Sequence, residues 1–404
     1  MDLLSGKLYW PETLDAAHTY PMLEQDIDCD VLIIGAGSSG AQCAYYLSNY
    51  DLKVVVADKR KAGTGSTSVN TALIQYAGDK TFAELINSFG EAYSARHLKL
   101  CEKAIKEIEN AEQLLSDKFD FEWKDTLYYA SSSEDIAKLE QEYHYLRKHG
   151  FPVELWDEKK IEEHYSFIKP AAIYYKYDAV INPLKFTYAL LDYAKSKGAV
   201  IYENTALTGH KIEGNITVFF SAKGSIRAKK VIFACGYEGL EIKKEKNAVI
   251  TSSYAVVTNQ IADFTAWYNK TLIWESARPY IYFRTTADNR IIIGGLDENT
   301  GYADARDAQI IHKREQLINE LHKLFPDIDA EPEYFLAAFY GGTHDGLPII
   351  GEYKEIPNSY FLFAYGDNGT VYSMVLSQII TDIIVKGQSS DLELYRQDRP
   401  LLMK

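Results

Sequence analysis

The feature that most restricts the fold of this chain is a glycine-rich segment near its start, CDVLIIGAGSSGAQCAYYL, which covers residues 29–47. An apolar run ends at Gly35, and apolar residues then recur at helical spacing from Gly40 onward. The pattern predicts a buried strand, a tight turn and a helix. A second apolar run, LKVVVAD, ends in Asp58, about 20 residues beyond the glycines, as a βαβ unit requires.

Each glycine has its own reason to be present if this unit holds a dinucleotide. Gly35 permits the sharp turn, Gly37 lets the backbone approach a pyrophosphate, and Gly40 lets helix and strand pack closely. The helix then points its positive end at two negative charges, and Asp58 accepts hydrogen bonds from a ribose diol. The segment therefore predicts dinucleotide binding, and the alternative is a glycine turn with a purely structural role.

Length and charge limit the remaining possibilities. The chain has 404 residues, 47% of them hydrophobic, which is enough for two domains. Its formal net charge of −14 argues against nucleic acid or an anionic membrane as a partner, because both are bound through excess lysine and arginine. No apolar run approaches the ~20 residues of a membrane span, and the amino-terminal segment does not resemble a signal peptide. We therefore expect a cytoplasmic protein with no membrane partner.

The residue types that bind metals are scattered. The four cysteines form no CxxC pair, and the nine histidines include no HExxH or paired spacing. We expect neither disulfides nor a bound metal.

The rest of the chain alternates between helical and strand-like patterns. Residues 81–117 have a helical pattern without proline, and Ser131 and Glu134 have the spacing of a capping box that opens a further helix. We interpret this region as helical insertions that contribute no sheet. Residues 254–295 alternate aromatic and β-branched with polar residues, which predicts an antiparallel sheet. The amino-terminal arm is expected to lie extended over the surface with Trp10 anchored.

Two polar loops favour a resident flavin over a nicotinamide. Residues 61–79, KAGTGSTSVNTALIQYAGD, are too rich in Gly, Ser and Thr to be core and can line an extended cofactor, although a solvated surface loop is the alternative. Residues 366–370, GDNGT, open a helix whose positive end would face the N1–C2 edge of a flavin and favour its reduced, anionic form. A nicotinamide enzyme would leave both loops unexplained.

These segments occur in the order found in a known family. DVLIIGAGSSG, GSTSVNTALI, AKKVIFACG, THDGLPIIG and YFLFAYGDNGT follow one another along nearly the full length of the chain. In this combination the chain resembles the FAD-dependent oxidoreductases of the D-amino-acid oxidase superfamily, which includes glycine oxidases and sarcosine oxidases. The resemblance implies a mixed α/β fold: a Rossmann-like FAD-binding domain with a central parallel sheet, and a substrate domain with a large antiparallel sheet and helices.

The order of the motifs implies that the FAD-binding domain is discontinuous. We expect it to comprise residues 1–80, 180–245 and 335–404. We expect residues 81–179 and 246–334 to form the substrate-binding domain.

The resemblance assigns residues to each part of a non-covalently bound FAD. The pyrophosphate is expected at Gly35, Gly37, Ser38, Ser39 and Gly40, and the adenosine at Asp58, Lys59, Arg60, Ala206, Ala234, Cys235 and Gly236. The ribityl chain is expected along Gly65, Ser66, Thr67, Ser68, Asn70, Thr71, Ala72 and Leu73, and the flavin ring beside Gly366, Asp367, Asn368, Gly369 and Thr370. No covalent link is expected, because Asn70 stands where histidyl-linked relatives have their histidine.

The residues that bind a substrate carboxylate in relatives are replaced here. An arginine usually serves this purpose in the superfamily. In this chain Tyr340 stands in place of that arginine, and Gln75 and Ser373 correspond to the arginine and lysine that sarcosine oxidases use. A small amino acid is therefore not a safe expectation for the substrate.

Other candidates for substrate contact lie in the segment SARPYIYFRTTADNR. Alternation along a strand puts Arg278, Tyr280, Tyr282 and Arg284 on one face. We expect the tyrosines, together with Tyr340, to line the substrate pocket and one of the two arginines to touch substrate. The alternative for each arginine is an ion pair with a surface acid.

The sequence thus predicts an FAD-dependent oxidase or dehydrogenase that acts on a small amine or amino-acid derivative. In relatives the substrate loses a hydride from the C–N unit to the flavin, and water hydrolyses the resulting imine. The electron acceptor, oxygen or another molecule, is left open. The alternatives are a nicotinamide-dependent dehydrogenase and a flavin-binding protein without turnover, in a sensing or assembly role.

Overall fold

A computed structural model describes residues 1–16, 18–78 and 80–402. The strands are β1 (Leu4–Lys7), β2 (Ile27–Ile34), β3 (Val54–Ala57), β4 (Leu73–Ile74), β5 (Glu122–Tyr129), β6 (Val153–Asp157), β7 (Ala171–Val180), β8 (Val200–Tyr202), β9 (Gly209–Glu213), β10 (Ile216–Phe220), β11 (Ser225–Phe233), β12 (Ala248–Thr258), β13 (Leu272–Glu275), β14 (Ile281–Thr285), β15 (Ile291–Glu298), β16 (Pro332–Thr343), β17 (Ile349–Gly351) and β18 (Ser359–Phe363). The helices are α1 (Ser38–Leu47), α2 (Phe82–Phe89), α3 (Glu91–Leu114), α4 (Ile136–Lys148), α5 (Glu158–Glu162), α6 (Pro183–Ser196), α7 (Gly239–Ile242), α8 (Ala303–Ala308), α9 (Ile310–Leu324), α10 (Gly369–Lys386) and α11 (Leu392–Tyr395). Within these described ranges no helix is long and apolar enough to cross a membrane.

The smaller sheet has the order β17-β18-β11-β2-β3-β8, with the hairpin β9–β10 attached to β11. Strands β18, β11, β2, β3 and β8 pair in parallel. Parallel strands are covered on both faces, which explains the unbroken run VVVA of β3, buried throughout. Helices α1, α6 and α10 supply buried residues to the same core as this sheet. The predicted strand, turn, helix and second strand are thereby confirmed.

The larger sheet has the order β1-β16-β12-β15-β14-β13-β5-β7-β4, with β6 paired to β7. Most of its pairs are antiparallel, although β13 and β5 run parallel. One face packs on α9 through a core that includes Phe283, Ile293, Leu317 and Leu321. The predicted antiparallel sheet over residues 254–295 is confirmed by β12, β14 and β15.

Three elements differ from the sequence prediction. The segment interpreted as helical insertions contains β5, which joins the larger sheet through its pairing with β7. The helical region from residue 81 is two helices, α2 and α3, because Gly90 takes a φ of 82° between them. The capping box near residue 131 involves Ser132 and Asp135, one residue later than the predicted pair Ser131 and Glu134.

The domain boundaries remain a prediction, but the pairing of three strands bears on them. Strands β1, β4 and most of β16 fall in ranges assigned to the FAD-binding domain, yet all three pair within the larger sheet. The arm containing β1 does not simply lie over the surface, because residues 4–7 pair with β16. Trp10 is anchored as expected, with 5% of its surface exposed.

Candidate active site

A cavity lies between the two sheets, at the carboxyl ends of the parallel strands. Ile34, Ala57, Ala234 and Ala364 follow or end β2, β3, β11 and β18, and all four line its wall. The opposite wall comes from β12, β14, β15 and β16 of the larger sheet. The cavity therefore combines residues from both ends of the chain.

The first glycine turn has the conformation that the fingerprint requires. Gly35 has a φ of 112°, and a Cβ at this position would lie 2.4 Å from the Ala234 carbonyl oxygen. A Cβ on Gly40 would lie 1.9 Å from the Gly35 carbonyl oxygen, so only glycine lets α1 approach the turn this closely. Helix α1 consequently begins at the cavity wall, where its amino-terminal dipole favours an anion.

Asp58 is fixed at the end of β3 by two backbone N–H groups. Its carboxylate accepts hydrogen bonds from Ala36 at 2.7 Å and from Arg60 at 2.8 Å. Burial raises the pKa of this carboxyl, and the two backbone bonds oppose that shift. An oriented carboxylate at this end of the cavity suits the hydroxyls of a ribose.

Lys59 and Arg60 are held by a residue that sequence reasoning missed. The carboxylate of Glu238, of which 5% is exposed, accepts from Arg60 at 2.5 Å and from Lys59 at 3.0 Å. Burial acts to raise the pKa of Glu238, but the hydrogen bonds from Arg60 and Lys59 hold it below its ordinary value. No motif marks Glu238, because its role depends on two side chains from a distant part of the sequence.

The loop predicted to follow the ribityl chain joins both ends of the protein. Thr67 Oγ1 accepts from the Ser38 backbone N–H at 3.0 Å, at the start of α1. The Asn70 side-chain amide donates to Thr370 Oγ1 at 2.9 Å, in the first turn of α10. The Trp10 indole donates to the Asn70 carbonyl at 2.7 Å.

The carboxy-terminal motif forms the far end of the cavity. Gly366 has a φ of 124°, and α10 begins three residues later with Asn368 as its N-cap residue. The Asn368 amide donates to the Ala77 carbonyl at 2.7 Å, and Ser373 Oγ lies 2.7 Å from Ser39 Oγ. Two helices, α1 and α10, thus open on the same cavity with their positive ends.

All but three of the predicted cofactor residues line this cavity; the exceptions are Gly40, Ser68 and Ala72. Gly40 lies behind the wall because its role is the close packing of helix and turn. Ser68 turns inward and donates to the Gly65 carbonyl at 2.8 Å. Ala72 is buried, and its carbonyl accepts from Arg284.

The wall that the larger sheet contributes is rich in aromatic residues. The wall residues here include Gln75, Trp274, Tyr280, Tyr282, Asp297 and Tyr340. Tyr282 lies flat on β15, since a Cβ on Gly294 would lie 2.2 Å from its hydroxyl oxygen. Trp274 stacks on Tyr128 with ring centres 3.9 Å apart, and its buried indole N–H has no hydrogen-bond partner among the described residues. The three predicted tyrosines therefore do reach the cavity.

Neither predicted arginine is among the described residues that line the cavity, and the expectation that one of them touches substrate stays a prediction. Arg284 is 2% exposed, and its guanidinium donates to the carbonyls of Thr71, Ala72, Ile181 and Thr285. Arg278 is exposed and donates to carbonyls of its own loop. Strand alternation predicted that Arg284 and Tyr282 share one face of β14, and both side chains contact Thr71. Alternation could not show that the loop of residues 65–73 covers the end of β14 that contains Arg284.

Gln75, which is itself buried, is the cavity end of a hydrogen-bonded chain. Its amide donates to Thr126 Oγ1 at 3.2 Å, and Thr126 donates to the Asp178 carboxylate at 2.6 Å. Burial raises the pKa of Asp178 to about 7, although the bonds from Thr126 and Tyr76 oppose the shift. Asp178 lies on β7, so a carboxyl deep in the larger sheet orients an amide at the cavity wall.

The fold and the cavity define a class of protein: an oxidoreductase whose site is shaped for an extended dinucleotide cofactor. A profile of the family described as FAD dependent oxidoreductase (DAO) matches residues 30–383. The chain belongs to this family, and its cofactor is FAD. The structure fits that cofactor, because the glycine turn and Asp58 meet at one end and the α10 amino terminus lies at the other.

Several known proteins are similar to the chain over most of its length. A putative Rieske 2Fe-2S iron-sulfur protein of Bacillus subtilis is 23% identical over 97% of this chain and 75% of its own. Gamma-glutamylputrescine oxidoreductase of Escherichia coli is 23% identical over 93% of this chain and 88% of its own. The crystal structure of glycine oxidase from Geobacillus kaustophilus superposes with a TM-score of 0.77 at 19% identity, covering 92% of this chain and 99% of that one.

Proposed function

We propose that this protein oxidises a C–N bond of a small amine or amino-acid derivative at the aromatic wall of its cavity. The observation that carries the proposal is the position of Tyr280, Tyr282, Trp274 and Tyr340 in the cavity whose far end is the α10 amino terminus. Such a wall receives the apolar part of a substrate and excludes water from the reacting carbon. Relatives named glycine oxidase and gamma-glutamylputrescine oxidoreductase agree with this chemistry.

FAD, when bound, supplies a two-electron acceptor for the hydride that leaves the carbon next to nitrogen. The residues of the protein bind and orient the substrate and stabilise charge. The aromatic side chains hold the substrate in place, and Gln75, oriented through Thr126 and Asp178, offers a fixed amide to its polar part. The positive end of α10 stabilises negative charge at the end of the cavity that it faces. Water then hydrolyses the imine to a carbonyl compound and an amine.

We also propose that FAD is held without a covalent bond and that the enzyme works in the cytoplasm. The thiol in the cavity wall is Cys235, which donates to the Ile34 carbonyl at the adenine end. Burial raises the pKa of Cys235 to about 12, so this sulfur is a thiol at neutral pH and a poor nucleophile. Acid precipitation of the protein should leave all yellow colour in the supernatant.

Anaerobic titration of the yellow holoprotein tests the proposed reaction. A panel of primary and secondary amines, amino acids and N-methyl amino acids is added, and flavin absorbance is followed. At least one compound should bleach the flavin and yield the matching carbonyl product. Air is then admitted, and prompt return of the colour would identify oxygen as the electron acceptor. A flavin that stays oxidised with every compound would contradict the proposal and favour a protein without turnover.

A further inference from the structure

The charges along the cavity are distributed unevenly. Among its described lining residues the lysines and arginines are Lys59 and Arg60, and both bind Glu238 at the adenosine end. The aromatic end has instead the carboxylate of Asp297, which lines the cavity together with Tyr280 and Tyr340. A substrate carboxylate placed beside Asp297 would meet like charge. Arg278, whose guanidinium lies 4.9 Å from the centre of the Tyr280 ring, is exposed and donates to carbonyls of its own loop. An ammonium group would meet opposite charge and aromatic faces, both of which attract it.

A β-bulge brings Asp297 to this wall. Across β12 and β15, Tyr254 pairs with Gly295 and Ser252 pairs with Glu298, so β15 has one residue more than β12 over this stretch. Leu296, inside the bulge, has a φ of 55°, which is unusual for a branched side chain. Bulges redirect side chains and are frequent beside active sites.

The side chains of Asp297 and Glu298 consequently lie on opposite faces of the sheet. Glu298 turns to α9, where its carboxylate lies 2.7 Å from Lys313 Nζ. Asp297 lines the cavity together with Tyr280 and Tyr340. Burial raises the pKa of the Tyr237 phenol, and the negative charge of Asp297 raises it further.

We infer that the bulge in β15 presents Asp297 to the ammonium group of a cationic amine, and that the substrate has no carboxylate on the carbon that is oxidised. The inference rests on the proposed amine oxidation and narrows its substrate class. The ammonium gives one proton to the Asp297 carboxylate, and the neighbouring carbon gives one hydride to FAD. The substrate thereby loses two electrons and two hydrogens and becomes an iminium ion.

Matched substrate pairs test the substrate class. N-methylethylamine is compared with N-methylalanine, and benzylamine with phenylglycine, because the members of each pair differ only by the carboxylate. In anaerobic titrations we expect the amine to reduce the flavin with an apparent Kd at least 10-fold lower than that of the acid. If the apparent Kd of the acid is equal to or lower than that of the amine, the substrate class that we infer is wrong, whereas the proposed amine oxidation still holds.

A pair of variants tests the role of Asp297. Asp297→Asn should raise the apparent Kd of the amine at least 10-fold with unchanged FAD content, and Glu298→Gln should leave it unchanged. Benzyltrimethylammonium, which cannot form an imine, adds a measurement of binding alone. It should shift the flavin spectrum and the Tm of the wild type but not those of Asp297→Asn. If no amine or acid reduces the flavin, the proposed function fails, and this binding measurement still decides whether Asp297 receives a cation.

Discussion

At the scale of single residues, Arg284 has a structural role that its sequence context conceals. Its guanidinium is buried, donates to the carbonyls of Thr71, Ala72 and Ile181, and lies 5.6 Å from the centre of the Trp10 ring. Burial lowers the pKa of Arg284 to about 10, which still leaves the side chain charged at neutral pH. Arg284 therefore fixes the carboxy-terminal end of the loop formed by residues 65–73. Its guanidinium is a planar set of donors that lysine cannot reproduce.

We predict that Arg284→Lys destabilises the protein by about 2–4 kcal/mol, because buried carbonyls lose their donors. FAD affinity should fall as the loop containing Thr71 loosens, and the reduction rate of enzyme that retains FAD should change little. Denaturant unfolding and flavin fluorescence on dilution measure the two effects. Arg278→Lys, on an exposed loop, is the matched control and should leave stability and FAD affinity at their wild-type values. An Arg284→Lys protein with normal stability but no turnover would instead assign Arg284 to the chemistry.

Asp178 should make stability depend on pH. Burial raises its folded pKa from 3.8 to about 7, opposed by hydrogen bonds from Thr126 and Tyr76. As pH rises through this window the unfolded chain loses the proton first, so the free energy of unfolding falls between about pH 4 and pH 7. Glu142, with a pKa raised by burial to about 7, contributes a second fall of the same sign.

We predict that Asp178→Asn removes part of this pH dependence, so that the variant gains stability relative to the wild type as pH rises from 5 to 8. Urea unfolding at both pH values gives the comparison, with each pKa unit corresponding to about 1.4 kcal/mol. Asp51→Asn, on an exposed turn, should leave the wild-type difference between the two pH values unchanged. The same pH difference in Asp178→Asn as in the wild type would show that Asp178 titrates normally in the folded protein.

At the scale of elements, the amino-terminal arm couples the two ends of the chain. Strand β1 pairs with β16, and Leu3 beside it lines the cavity. Trp10 then packs in the core and donates to Asn70, which in turn donates to Thr370 at the start of α10. The arm is therefore part of the cofactor site, although it lies outside every glycine motif.

We predict a graded effect of substitutions at Trp10. Trp10→Phe retains most of the buried surface but loses the indole N–H, and should cost about 1 kcal/mol. Trp10→Ala also leaves a cavity and should cost about 3–5 kcal/mol, with weaker retention of FAD. Thermal unfolding with and without added FAD measures both. Wild-type stability of Trp10→Ala would show that the arm contributes nothing to the fold.

The elements that sequence predicts well are those specified by neighbouring residues. The βαβ unit of β2, α1 and β3 has its turn, its glycines and its acid within one short stretch, and the structure agrees with it. Strand β5 was not predicted from the sequence, because its partner β7 lies some distance along the chain between further helices. The bulge that turns Asp297 to the cavity could not be predicted either, because it is defined by the pairing register of β15 against β12.

At the scale of the whole molecule, negative charge opposes the entry of an anionic cofactor. The chain has a formal net charge of −14, and the carboxylates lining the cavity outnumber its lysines and arginines. FAD brings two further negative charges on its diphosphate. Once FAD is bound, we expect the α1 amino terminus to stabilise those charges at short range. During approach, however, the long-range field is repulsive and is screened by salt over about 10 Å at 0.1 M.

We therefore predict that FAD associates with the apoprotein about threefold or more faster at 200 mM than at 20 mM NaCl, because salt weakens repulsion between like charges. Stopped-flow measurement of flavin fluorescence gives the rate. Riboflavin, which has no phosphate, is the control, and any binding of it should be nearly independent of salt. An FAD rate that falls with salt would mean that a positive surface near Lys59 and Arg60 guides the diphosphate in spite of the net charge. The direction of the salt effect thus shows whether overall charge or the local cation pair governs assembly of the holoenzyme.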